Sequence, residues 1–239
     1  MVDSQTDTAA PAPPQTAAPR QTRLSDKVGV VFFGTVGGFL IHLLWGMALV
    51  RLLDKDGVGT YRQVWLVYGI ASVIFQLGVP ASIAYFVPQL SPKRGLGLAL
   101  QVFSTMLALG VLMSLFLFFG AALLAHRLGN PELAPLLRIF ALYPTFFLPF
   151  TAASSLLIVQ NRHRQAALLQ FITSAQAPAM SWMLLVAGYP LRTCFGALVL
   201  TAAVLFFGMA VWLLRLCRRV GVEWQQEMIG RQMRYSLPI

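Results

Sequence analysis

The chain is divided into uninterrupted apolar runs of 20 residues or more, a pattern that admits very few folds. A helix of that length spans a hydrocarbon core about 30 Å thick. Lipid offers no partners to backbone N–H and C=O groups, so only helices and closed barrels cross it. A barrel strand needs about half this length, which leaves helices. The fold class expected is all-α integral membrane, a six-transmembrane-helix bundle with spans near 28–53, 61–87, 96–125, 136–160, 166–188 and 193–216. Only 11% of the residues are charged, against roughly 25% in soluble domains, so a water-soluble enzyme or binding module is excluded.

The links between runs are short: DKDGVGT, PQLSPKRG, HRLGNPELAP, NRHRQ and YPLR. They predict sequential up-down hairpins. The tightest turn, within residues 51–89, predicts that the first two helices pack side by side. Residues 1–27 are rich in Pro, Ala, Thr and Gln and predict a disordered cytoplasmic tail. Residues 217–239 predict an amphipathic segment on the inner surface and the possible start of a seventh span.

The formal charge of +10 raises the question of nucleic acid, and its distribution answers it. Basic residues gather just outside the apolar runs instead of forming one polar face, so nucleic acid is not an expected partner. With the N-terminus inside, twelve of the 18 Lys and Arg fall on internal segments and six on external ones. That asymmetry predicts a multi-pass protein of the bacterial inner membrane with a cytoplasmic N-terminus.

Packing features are also legible. Gly34 and Gly38 form a small-xxx-small pair that lets a neighbouring helix approach closely. Pro144 and Pro149 interrupt the fourth span and Pro178 the fifth, as bundle irregularities or as hinges. Cys194 and Cys217 fall at opposite ends of the sixth span and cannot pair. There is no P-loop, HExxH, GxSxG or CxxC, and no metal-ligand spacing. No catalytic residue, cofactor or metal is expected. Asp54-Lys55-Asp56 is the one acidic motif in an external loop, where membrane glycosyltransferases using lipid-linked sugars place metal-binding or basic carboxylates. Its plainer reading is a solvated turn.

Val50-Arg51-Leu52-Leu53, the acidic turn after it, Gly59-Thr60-Tyr61 and Gln76-Leu77-Gly78-Val79-Pro80 together resemble the N-terminal hairpin of the oligosaccharide-lipid flippases. These form the polysaccharide biosynthesis branch of the multidrug/oligosaccharidyl-lipid/polysaccharide exporter superfamily. Gln160-Asn161-Arg162-His163-Arg164 and Arg234-Tyr235-Ser236-Leu237-Pro238 are compatible with that pattern, and Gln76 departs from its usual acidic residue. The resemblance implies a transporter of two six-helix lobes, of which this chain matches only the N-terminal half. It implies a lipid-linked oligosaccharide as substrate, membrane lipids as surroundings, and a second lobe or a homodimer to complete the cavity. An inactive lobe or scaffold of a polysaccharide-assembly complex is the alternative.

A flippase needs cations for a lipid pyrophosphate and polar groups for sugars, set at membrane depth. The candidates are Arg51 near the end of the first span, His42 in its middle, Arg138 in the fourth span and Gln76 in the second. Arg51 has a simpler role open to it as a snorkelling interfacial cation. His42 has one as a satisfied packing residue, and Gln76, Gln101, Gln170 and Gln176 have one as interhelical glue.

Overall fold

The computed structural model describes the backbone of residues 24–76 and 79–220, and the side chains of 36–76, 79–91 and 93–219. Most of the tail expected over 1–27, the Leu77-Gly78 pair and the segment beyond 220 lie outside the described residues. Every regular element within them is helical: α1 (Leu24–Leu52), α2 (Lys55–Gln76), α3 (Val79–Phe86), a 3-10 turn (Val87–Gln89), α4 (Pro92–Arg127), α5 (Leu133–Phe140), α6 (Tyr143–Val159), α7 (His163–Val186) and α8 (Leu191–Val220).

The six expected segments are therefore all helical, but two are broken. The axes of α2 and α3 diverge by 46°, and those of α5 and α6 by 49°. The second break has a clear cause. Proline lacks an N–H, so Pro144 cannot donate back to the Phe140 carbonyl where α5 ends, and it sits instead in the first turn of the next helix. Pro149 and Pro178 remain inside α6 and α7. By length and apolarity, two helices can cross a membrane, Lys93–Arg127 and Leu191–Arg219, or up to four if each bent pair counts once. The shorter apolar stretch Val36–Leu52 of α1 is not among them. Nor is α7, which carries Gln165, Gln170, Ser174 and Gln176 along its length. Length and apolarity alone thus give fewer crossings than the six expected.

Two buried clusters hold the bundle. The larger joins Trp45, Leu49, Tyr61, Tyr68, Phe140, Tyr143 and Phe195 at the end bearing the α1–α2 turn. Its rings meet edge-on or stacked, with centroids 4.7 Å apart for Phe140–Tyr143 and 5.8 Å for Trp45–Tyr61. Such pairs add about 0.5–1.5 kcal/mol each beyond the area they bury. The smaller cluster, with Val79, Ile83, Leu96, Val102, Met106, Leu156 and Leu213, fills the opposite end.

Helix neighbours correct one expectation. The tight turn does not make α1 and α2 pack along their length; α1 lies along α7, while α2 lies against α4 and α5. The reason is surface shape. A Cβ added at Gly38 would stand 3.3 Å from Cβ and Oγ of Ser174, and one at Gly37 would stand 3.8 Å from the Phe171 ring. Small residues thus bring α1 onto α7, as the Gly34/Gly38 pair predicts for some neighbour; the Gly34 side lies outside the described residues. Helices α4 and α6 also approach closely, where a Cβ at Gly110 would stand 2.8 Å from the Pro144 carbonyl oxygen. Beside it the Ser114 and Thr145 hydroxyls meet at 2.7 Å.

Candidate functional site: the opening between α1 and α2

The turn that starts the site is built by Asp54. The Gly57 N–H donates to Asp54 Oδ1 at 3.1 Å, and the Val58 N–H to the Asp54 carbonyl at 3.0 Å. This is an N-cap, which satisfies donors that the first helical turn leaves orphaned. Asp56 adds negative charge in that first turn, where the helix dipole favours it. The acidic motif therefore starts α2, which favours its plainer reading over an active-site one. Thr60 Oγ1 donates to the Asp56 carbonyl and accepts from Asn130 Nδ2, tying the turn to the α4–α5 link.

One turn further in, α1 and α2 are locked together. Trp45 Nε1 donates to Tyr61 Oη at 3.0 Å, and Trp45 also meets Trp182 of α7 edge-on. Tyr61 continues the contact by stacking on Phe195 of α8. Beyond this knot the two helices part.

Helical phase defines what faces the gap. Gly38, Trp45 and Leu49 are the buried stripe of α1. At 100° per residue His42 lies within about 40° of that stripe's centre, yet it is exposed. Gly37 turns toward α7, so His42 and Gly46 occupy the opposite flank, and a Cβ at Gly46 would meet nothing within 4 Å. On α2, Tyr61, Trp65, Ser72 and Gln76 fall along one line whose first members reach the aromatic knot. Gly69 lies beside that line with open space around it. The Ser72 hydroxyl donates to the Gly69 carbonyl at 2.9 Å, and Gln76 is half-buried at the end of the helix. Helical phase thus puts an imidazole, an amide, a hydroxyl and two glycines without a close neighbour on these flanks of α1 and α2, groups that can meet a polar solute.

The four residues picked from sequence separate into two pairs. His42 and Gln76 border the opening. Arg51 and Arg138 do not. Arg51 is exposed on the side of α1 away from its buried stripe, and its cation complements the C-terminal dipole of that helix. Arg138 is exposed in the last turn of α5, opposite the buried Leu133, Leu136, Leu137 and Phe140. Gly46, Gly69 and Ser72 escaped the sequence reading, although the spacing Gly69, Ser72, Gln76 marks one helical face. Gln176 acts as glue: its Nε2 donates to Thr201 Oγ1 at 2.7 Å and to the Leu198 carbonyl at 3.3 Å, joining α7 to α8. Gln101 is buried in α4 and Gln170 exposed on α7. Among the described residues, Gln176 Oε1 is buried without a hydrogen-bond partner. Cys194 and Cys217 are free and sit on one helix, 23 residues apart.

The acids, not the bases, are segregated along the bundle, since Arg51, Lys55, Arg62, Arg127, Arg138 and Arg192 share the acidic end. The acids with described side chains, Asp54, Asp56 and Glu132, all sit at the end of the α1–α2 turn, where Glu132 pairs with Arg192 at 3.4 Å. The opposite end carries Lys93, Arg94, Arg162, Arg164, Arg215, Arg218 and Arg219, with no acid among the described residues.

No curated protein and no solved structure matches the chain. Apolar helices of crossing length describe a membrane protein, and a family model does match. That model, for polysaccharide biosynthesis proteins, covers residues 24–239, and the chain belongs to this family.

Proposed function

We propose that this protein forms a flippase lobe that moves a lipid-linked oligosaccharide across the bacterial plasma membrane for surface polysaccharide assembly, with no enzymatic step of its own. Family membership supports the role in polysaccharide biosynthesis. The opening between α1 and α2 carries the finer reading, because it sets His42, Ser72 and Gln76 beside unobstructed backbone where a sugar headgroup finds donors and acceptors. The helices make six crossings, with each bent pair acting as one span and α1 and α7 completing the count. The basic end faces the cytoplasm. Alternating access needs two halves, so the lobe acts with a second lobe or a second copy of itself.

The test is polysaccharide export in cells that depend on this protein. His42→Ala combined with Gln76→Ala is expected to lower export at least tenfold with membrane insertion intact. Arg51→Ala, outside the opening, is expected to have the smaller effect. Full export by the double variant would remove the opening from the mechanism.

A further inference from the structure

A second concavity lies on the other side of the bundle from the α1–α2 opening. It is a groove of 390 Å³ between α6, α7 and α8, walled by Leu157, Leu168, Ile172, Val204, Met209 and Trp212. Its walls are nearly all carbon; Gln165, at the basic end, is the polar exception. Along α8 it runs from Val204 to Trp212, which at 1.5 Å per residue is about 12 Å. Half of a hydrocarbon core is about 15 Å. The groove is therefore about as long as one leaflet is deep, and along α8 it ends three residues before Arg215.

What stands at that stop is cationic. Continuing the groove stripe of α8 by one and two turns gives Arg215 and Arg219, both exposed. From the start of α7, the Arg162 guanidinium donates from Nη1 to Gln165 Oε1 at 3.5 Å, which holds it over the groove's polar residue. No described acid lies at this end to neutralise them. Trp212 lines the groove next to this collar, where an amphipathic indole suits a membrane interface. Basic pockets between membrane helices bind acidic headgroups on this chemical ground.

We infer that the α6–α7–α8 groove is a binding site for an anionic phospholipid, with one acyl chain in the groove and the phosphodiester held by Arg162, Arg215 and Arg219. The site is separate from the α1–α2 opening, so it stands whether or not the proposed transport is correct. The occupant is a resident lipid of the basic-end leaflet, not the cargo.

The experiment titrates the full chain in detergent with phosphatidylglycerol or phosphatidylcholine and reads binding by native mass spectrometry. Phosphatidylglycerol is expected to bind at least tenfold more tightly. Arg215→Gln with Arg219→Gln is expected to abolish that preference. Gly208→Leu adds bulk inside the groove, where a Cβ meets nothing within 4 Å, and is expected to weaken both lipids while the protein still folds. Arg62→Gln, a cation at the other end, is expected to change neither. Equal binding of the two lipids by the natural chain would overturn the site, as would a preference that survives both groove and collar variants. Displacement of bound phosphatidylglycerol by polyprenyl pyrophosphate at equal concentration would also overturn it, by making the groove a cargo site.

Discussion

The two flanks of α1 differ in what glycine does for them. On the α7 flank, Gly38 removes a side chain so that another helix can fill the space, and Ser174 does so at contact distance. On the α2 flank, Gly46 removes a side chain and nothing arrives. The same residue type closes one seam and opens the other. What decides between them lies outside α1. The Trp45–Tyr61 bond pins the helices at one end, and α2 is then drawn away by its own contacts with α4 and α5. A tight turn fixes where two helices start relative to one another; it does not fix whether they stay together.

The largest expected effect is at the pin. Trp45 is 6% exposed and touches both α2 and α7. Trp45→Ala is expected to cost about 3–5 kcal/mol, as for a buried aromatic truncated to Ala. A thermal unfolding scan in detergent checks this. If stability barely falls, α1 is held by its α7 seam alone and the knot is incidental.

Next in size is the α4–α6 seam. Gly110→Ala places a Cβ 2.8 Å from the Pro144 oxygen and 3.0 Å from Thr145 Cα, both backbone atoms that cannot swing aside. Overpacking of this kind costs about 1–3 kcal/mol, and it should appear as a lower unfolding temperature. Gly110→Ser at the same cost would support a purely steric cause.

Much of this was legible in the sequence, and the part that was not has a physical explanation. Each apolar run is helical because lipid leaves the backbone no alternative, so the positions of the helices follow from length and composition. The partner of each helix does not. In soluble helices an apolar stripe marks the inward face, whereas a helix that is apolar all round carries no such mark. Phe39, Leu40, Leu43 and Met47 are as apolar as the buried Trp45 and Leu49, yet they are exposed. For the same reason the sequence puts Arg51 first among the candidates, although in the fold Arg51 lies on the side of α1 away from its buried stripe and His42 lies beside that stripe. The breaks were half legible: Pro144 predicts an interruption, but its angle depends on what packs around α5 and α6.

Smaller again is the cap. Asp54→Ala removes the acceptor for the Gly57 N–H and is expected to cost about 1 kcal/mol, the usual size of an N-cap loss. Asp54→Asn should recover most of it, because an amide oxygen accepts the same bond. If instead both variants abolish export while stability holds, Asp54 has chemistry beyond capping, and the glycosyltransferase reading of the acidic turn regains ground.

The smallest effect is the most discriminating between the two flanks. Gly46→Ala puts a methyl into open space in mid-helix, where replacing glycine removes a propensity penalty of roughly 0.5–1 kcal/mol. Gly46→Ala is therefore expected to hold or slightly raise the unfolding temperature, whereas Gly38→Ala, set 3.3 Å from Ser174, should lower it. Opposite signs for one substitution, eight residues apart on one helix, would locate the opening without reference to transport. If Gly46→Ala destabilises as much as Gly38→Ala, something covers that flank in the membrane. The natural candidate is then the second half that alternating access requires, seated on α1 beside His42.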